Sequence, residues 1–246
     1  MALPPPTTPP VLSKETLKRI ISDIKELRAA PLVSHGIYYE HDDTDILKGR
    51  ALIIGPADTP YADGFYFFNI KFPFNYPHAP PAVEFCTGDG ITRFNPNLYR
   101  CGKVCLSILN TWQGEPWSGC QTLSSVLLAI CTVFTEEPLL NEPGVTKYHR
   151  DFDNYNKIVT YKNIQVAILG MLADENIKTN FACFVPIMQT LFQERKATIQ
   201  ARTEKLKELI PETERAETTI YQLAVNINYT DLLAKLLQMC LVIPCA

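Results

Sequence analysis

Residues 93–118 read RFNPNLYRCGKVCLSILNTWQGEPWS, and this stretch decides the reading of the whole chain. Within it, Asn95-Pro96-Asn97 comes shortly before an apolar segment, Val104-Cys105-Leu106, with Cys105 eight residues after Asn97 and Trp112 and Trp117 following. Taken alone, a cysteine between valine and leucine is more often a packing residue than a nucleophile. The stretch itself has no helical or alternating pattern. Downstream, Leu123, Val126, Leu127, Ile130 and Phe134 recur at helical spacing, predicting a helix from about Gln121 to Phe134. Upstream, Arg50–Gly55, Phe65–Phe72 and Ala82–Cys86 are rich in branched and aromatic residues and read as strands. The turn Pro56–Gly64 and the stiff loop Pro73–Pro81 join them. Connections this short favour an antiparallel meander. Further upstream, Ser13 is placed to cap a helix carrying Glu15 in its first turn and Leu17, Ile20, Ile21, Ile24 and Leu27 on one face, with Pro31 as its stop.

Proline and glycine divide the rest. Residues 4–10 hold five prolines and predict a disordered or extended tail over residues 1–12. Beyond Gly144 the breakers are Gly170, Pro186, Pro211 and Pro244. That scarcity predicts helices over about Asn154–Asp174, Phe184–Ile210 and Thr213–Val242. With 246 residues the chain has room for a core domain and an extension. A net charge of −3 argues against a broad nucleic-acid-binding surface. The longest apolar run, about Val126–Phe134, is far below the ~20 residues of a membrane span. The start MALPPPTTPPVL does not read as a secretory signal. Eight cysteines in so long a chain without a signal suggest reduced thiols. Cys101, Cys105, Cys120 and His149 lack the paired spacing of a zinc site, so no metal is expected.

The order of motifs adds what the single residues cannot. A helix, a strand meander, the proline loop Phe72-Pro73-Phe74-Asn75-Tyr76-Pro77-His78-Ala79-Pro80-Pro81, then Asn95-Pro96-Asn97, Gly102-Lys103-Val104-Cys105-Leu106, Trp117-Ser118 and a helix resembles the ubiquitin-conjugating enzyme family over about residues 13–150. Most of that family has His-Pro-Asn where this chain has Asn95-Pro96-Asn97. A narrower resemblance is to the family's Z branch, which shares that asparagine, the Trp112–Ser118 segment, the Asn141–Gly144 tetrad and a helical C-terminal extension. The resemblance implies an α+β fold: a core of N-terminal helix, antiparallel meander sheet and helices over residues 13–152, and an α-helical extension over 153–246.

It also implies a chemistry. Cys105 accepts ubiquitin, or a ubiquitin-like modifier, as a thioester from an activating enzyme, and a substrate lysine then takes the acyl group. The thiolate is the competent nucleophile in such an exchange. Asn97 matches the family residue whose amide can steady the oxyanion or hold the neighbouring loop; the two roles stay open. An acidic position that orients or deprotonates the lysine falls on Asn141 without a gap or on Glu142 with one; only Glu142 can accept a proton. Lys18 and Arg19 match the positions that meet the activating enzyme. His78, Ser118, Gly119 and Cys120 match the two loops on which RING-type ligases dock, although the residue types depart from the family's. The partners implied are modifier, activating enzyme, ligase and protein substrates, with no cofactor, ATP being used by the pathway's activating step. For the Z branch they include its alternative activating enzyme and residence in cytoplasm and nucleus. The competing reading is a catalytically silent module of the same fold. A cysteine hydrolase is disfavoured because no histidine base lies in the 93–118 stretch.

Overall fold

The computed structural model describes residues 11–243; the proline-rich tail expected over residues 1–12 lies almost wholly outside them. Helix α1 (Lys14–Ala29) begins where an N-cap acceptor is available: Ser13 Oγ accepts the Thr16 N–H at 3.0 Å. Ile20, Ile24 and Leu27 turn inward, and so does Asp23. After Pro31 a single 3-10 turn, Leu32–His35, ends on Gly36 at φ +70°, a left-handed conformation that glycine adopts without a side-chain penalty. The chain then enters β1 (Ile37–His41), a strand the sequence reading did not anticipate. With β2 (Lys48–Ile54), β3 (Phe65–Lys71) and β4 (Ala82–Phe85) it makes a four-stranded antiparallel sheet in sequential order.

Side chains alternate across a strand, yet Phe65 to Phe68 are all buried, so both faces of β3 are covered. On one face Tyr66 packs among Tyr61, Phe94 and Phe134, its ring 4.6 Å from that of Phe134. On the other, Phe67, registered opposite Leu52, lies 4.7 Å ring to ring from Phe181 and 6.4 Å from Phe184. Both partners belong to the C-terminal extension, which therefore roofs part of the sheet.

Helix α2 (Leu123–Cys131) opens on a reciprocal cap between Thr122 and Ser125 and buries Leu123, Val126, Leu127 and Ile130. It ends three residues before the expected Phe134. The carbonyl of Val133 turns instead to the side-chain amides of Asn95 and Asn141, at 2.8 and 3.0 Å. Helix α3 (Phe152–Lys162) continues without a break into a π-helical stretch, Asn163–Gly170, and on to Ala173. At its first π residue, Asn163 accepts the Tyr66 hydroxyl at 2.6 Å and donates to the Ala62 carbonyl at 2.8 Å. After α4 (Glu175–Asn180), α5 (Val185–Leu209) is tied to the core by Arg195 and Arg202, both paired with Asp63.

The third predicted extension helix is wrong over half its length. Residues 214–227 form an antiparallel hairpin, β5 (Glu214–Thr218) and β6 (Leu223–Ile227), and only α6 (Tyr229–Val242) is helical. The physical reason is alternation. Ala216 and Thr218, and then Leu223, Val225 and Ile227, are buried while their neighbours point outward, a period of two that no helix can satisfy. The extension is thus helical with a strand pair inserted.

Candidate active site

The loop that carries Asn95 and Asn97 is built from side-chain amides. Asn95 is fully buried; its Nδ2 donates to the Tyr61 hydroxyl and to the Val133 carbonyl, at 2.9 and 2.8 Å. Its Oδ1 accepts the Asn97 N–H at 2.9 Å and the Asn141 Nδ2 at 3.4 Å. Arg93 braces the same loop from below, its Nε donating to the Asn95 carbonyl at 3.0 Å and its Nη2 to that of Pro96 at 2.6 Å. The guanidinium is sandwiched between the rings of Tyr99, 3.4 Å away, and Tyr221, 4.8 Å away.

Asn97 and Cys105 hold each other. The Cys105 N–H donates to the Asn97 carbonyl at 2.9 Å, and Asn97 Nδ2 donates to the Cys105 carbonyl at 2.7 Å. Between them the chain reverses at Gly102, φ +87°, where an added Cβ would sit 2.9 Å from Glu84 Cγ. Thr111 hooks the far side, its hydroxyl donating to the Val104 carbonyl at 2.7 Å and accepting the Leu106 N–H at 2.9 Å. Cys105 is 2% exposed, less open than a thiol that must meet a protein tail. It nonetheless lies outside the contiguous apolar cluster, and the chain around it runs along the surface, with Lys103 exposed and Leu106 and Ser107 partly so.

Of the two positions considered for the acidic group, Asn141 faces inward to Val133 and Asn95, whereas Glu142 turns to the extension and accepts the hydroxyl of Tyr221 through Oε2. Burial and the adjacent Glu142 carboxylate both push the Tyr221 hydroxyl far above its ordinary pKa, so it remains a donor.

The residues matched to partner-binding positions gather around the start of α1. Lys18 is exposed. Arg19 is occupied internally: Nε pairs with Asp23 at 2.8 Å, Nη1 donates to the Gly119 carbonyl at 2.7 Å, and Nη2 donates to the Gln121 carbonyl. Asp23, 2% exposed, also accepts the Tyr76 hydroxyl and the Leu123 N–H. That buried carboxylate stitches α1 to the proline loop and to the start of α2, and its place on the apolar stripe of α1 was the signal for it. Ser118, Gly119 and His78 are exposed, and Trp117 Nε1 joins their loops by donating to the Pro77 carbonyl at 2.7 Å. His78 lies 3.6 Å from Glu15.

Among the described residues no disulfide forms, and no group of three or more His, Cys, Asp or Glu side chains is placed to hold a metal ion. No helix among them is long and apolar enough to cross a membrane.

Comparison with known proteins bears on this geometry. The family model described as ubiquitin-conjugating enzyme matches residues 19–163. Ubiquitin-conjugating enzyme E2 Z of Xenopus tropicalis is 45% identical over 163 residues, covering 65% of this chain and 51% of that protein. The human protein of the same name is 44% identical over 161 residues, 64% of this chain and 45% of the relative. A probable ubiquitin-conjugating enzyme protein 17 of Caenorhabditis elegans is 38% identical over 199 residues, 76% of this chain and 27% of the relative. The matches to the E2 Z proteins thus span about half of those relatives' length.

Proposed function

Because the chain belongs to the ubiquitin-conjugating enzyme family, we propose that it carries ubiquitin or a ubiquitin-like modifier as a thioester on Cys105 and passes it to substrate lysines. The observation that carries this reading is the reciprocal pairing of Asn97 with Cys105, which sets a side-chain amide beside the cysteine backbone at 2.7 Å. A carboxamide has two N–H groups. One serves the Cys105 carbonyl; we assign the second to the oxyanion that forms when an amine attacks the thioester. A preorganised donor of that kind is worth about 3 kcal/mol in the transition state.

The balance is simple. The modifier's acyl group moves from the activating enzyme's sulfur to Cys105 with one thioester exchanged for another. The lysine nitrogen then attacks the carbonyl carbon, the C–S bond breaks, Cys105 leaves as thiolate, and the amine's proton passes to a base, here assigned to Glu142. Exposed Lys18 is assigned to the activating enzyme, with Arg19 shaping the same surface from within. The loops bearing His78, Ser118 and Gly119 are assigned to a ligase. We divide the chain into a conjugating core over residues 13–152 and an extension over 153–246, and place it in cytoplasm and nucleus, which imaging of the tagged chain tests.

Charging tests the central claim. Modifier, activating enzyme and ATP should give an adduct that thiol reagents cleave and that Cys105→Ala abolishes, while Cys105→Ser should give a more durable oxyester. Running the assay with each available activating enzyme and modifier identifies the pair. A chain that charges with none of them is the silent module instead.

A further inference from the structure

The tip of the β5–β6 hairpin is costly to build. Tyr221 and Gln222 both have positive φ, +63° and +51°, a left-handed conformation that is unfavourable for L-residues carrying a Cβ. Such a backbone persists where its surroundings over-determine it, and here they do. Asp151 Oδ2 accepts the Thr219 N–H, the Thr219 hydroxyl and the Ile220 N–H at 2.9, 2.7 and 2.8 Å. Arg100 Nη2 donates to the Tyr221 carbonyl at 2.5 Å. What this fixes in space is the Tyr221 side chain, whose ring covers Arg93 and whose hydroxyl donates to Glu142. Arg93 in turn holds the two carbonyls that precede Asn97. Tyr155 of α3 joins the same cluster, donating to the Arg93 carbonyl at 2.8 Å.

We propose that Tyr221, delivered by the extension's hairpin, is a positioning residue for the transfer step: its hydroxyl holds the Glu142 carboxylate in the orientation that receives the substrate amine. The inference rests on the conjugating reading above and adds to it a role for the extension inside the reaction. Charging of Cys105 involves no incoming amine and does not use the pair. Discharge to lysine does. The extension is then needed for completing the second half-reaction, in addition to covering the sheet.

The experiment separates the half-reactions in the full-length chain. Tyr221→Phe keeps the ring over Arg93 and removes only the hydroxyl. It should charge with ubiquitin, or with whichever modifier the chain accepts, at the parent rate. Single-turnover discharge to free lysine should slow about tenfold, the loss of one hydrogen bond to a charged group, in the limiting rate rather than in half-saturating lysine. Glu142→Gln should slow discharge at least as much, and the double variant no further, because the hydroxyl acts only through that carboxylate. Arg215→Gln, on the same hairpin with its side chain 68% exposed, should match the parent in both steps. Parent-rate discharge by Tyr221→Phe, equal losses in charging and discharge, or additive losses in the double variant would each overturn the proposal. A parent chain that never charges would overturn the conjugating reading and this inference with it. A parent that charges while Tyr221→Phe discharges normally removes only the inference.

Discussion

Asp151 offers the sharpest test of how the extension is pinned to the core. Its side chain is nearly buried, and one oxygen takes three donors from the hairpin tip. Asp151→Asn keeps the shape and loses the charge. A hydrogen bond to a charged group contributes ~1.5–3 kcal/mol and a neutral one ~0.5–1.5, so each bond weakens by roughly 1 kcal/mol. Because the three share one acceptor they do not add fully, and a total of about 2 kcal/mol follows. For a chain of this size that lowers the melting temperature by about 4–8 °C. The dependence on pH gives an independent check. Burial alone would raise the Asp151 carboxyl pKa, but the Thr219 and Ile220 donors and nearby His149 outweigh it and hold it below its ordinary value. A carboxylate depressed in the folded state contributes stability that is complete above its unfolded value of ~3.9 and is lost as pH falls through the folded value. Urea unfolding of parent and variant should therefore show the full gap at pH 7 and a closing gap below about pH 4. A gap under ~0.5 kcal/mol at pH 7, within the range of an ordinary surface change, would refute the reasoning. So would one that holds unchanged down to pH 3.

Other perturbations read other parts of the molecule. Arg19→Ala strands the buried Asp23 carboxylate and should cost about 3 kcal/mol in urea unfolding, whereas exposed Lys18→Ala should leave the unfolding midpoint alone and slow only charging. Phe181→Ala empties the roof over Phe67 and should cost about 3–4 kcal/mol, with a rise in binding of a hydrophobic dye. In native-state alkylation at pH 8 followed by mass spectrometry, exposed Cys101 and Cys120 should label first. Cys105 should lag because it is 2% exposed, and Cys86 because burial pushes its thiol up to about 11.

Much of the core was legible because local chemistry and tertiary packing agree there. The Ser13 cap, the Ile20–Ile24–Leu27 stripe and the aromatic run of β3 each carry their own signal. β1 escaped because five residues between a 3-10 turn and an acidic loop hold little periodicity, and their pairing partner is what makes them a strand. The hairpin was hidden by the absence of glycine and proline from residues 214–227. Its turn uses Tyr221 and Gln222 at positive φ, where sequence rules look for glycine or asparagine. The spacing of Asn97 to Cys105 and the ambiguity between Asn141 and Glu142 could both be read from the chain. That Glu142 meets a tyrosine 79 positions later could not, because nothing local links them.

The match to the family model ends at residue 163, which in the fold is the first π-helical residue of an unbroken rod. A protein cut there would lose Phe181 and Phe184, turning the Leu52 and Phe67 side of the sheet toward water. A naked aromatic sheet surface invites self-association. A piece that keeps that face covered must therefore extend beyond the residues the family model matches, and a protease nick in the loop after Leu209 should be better tolerated than one near residue 163.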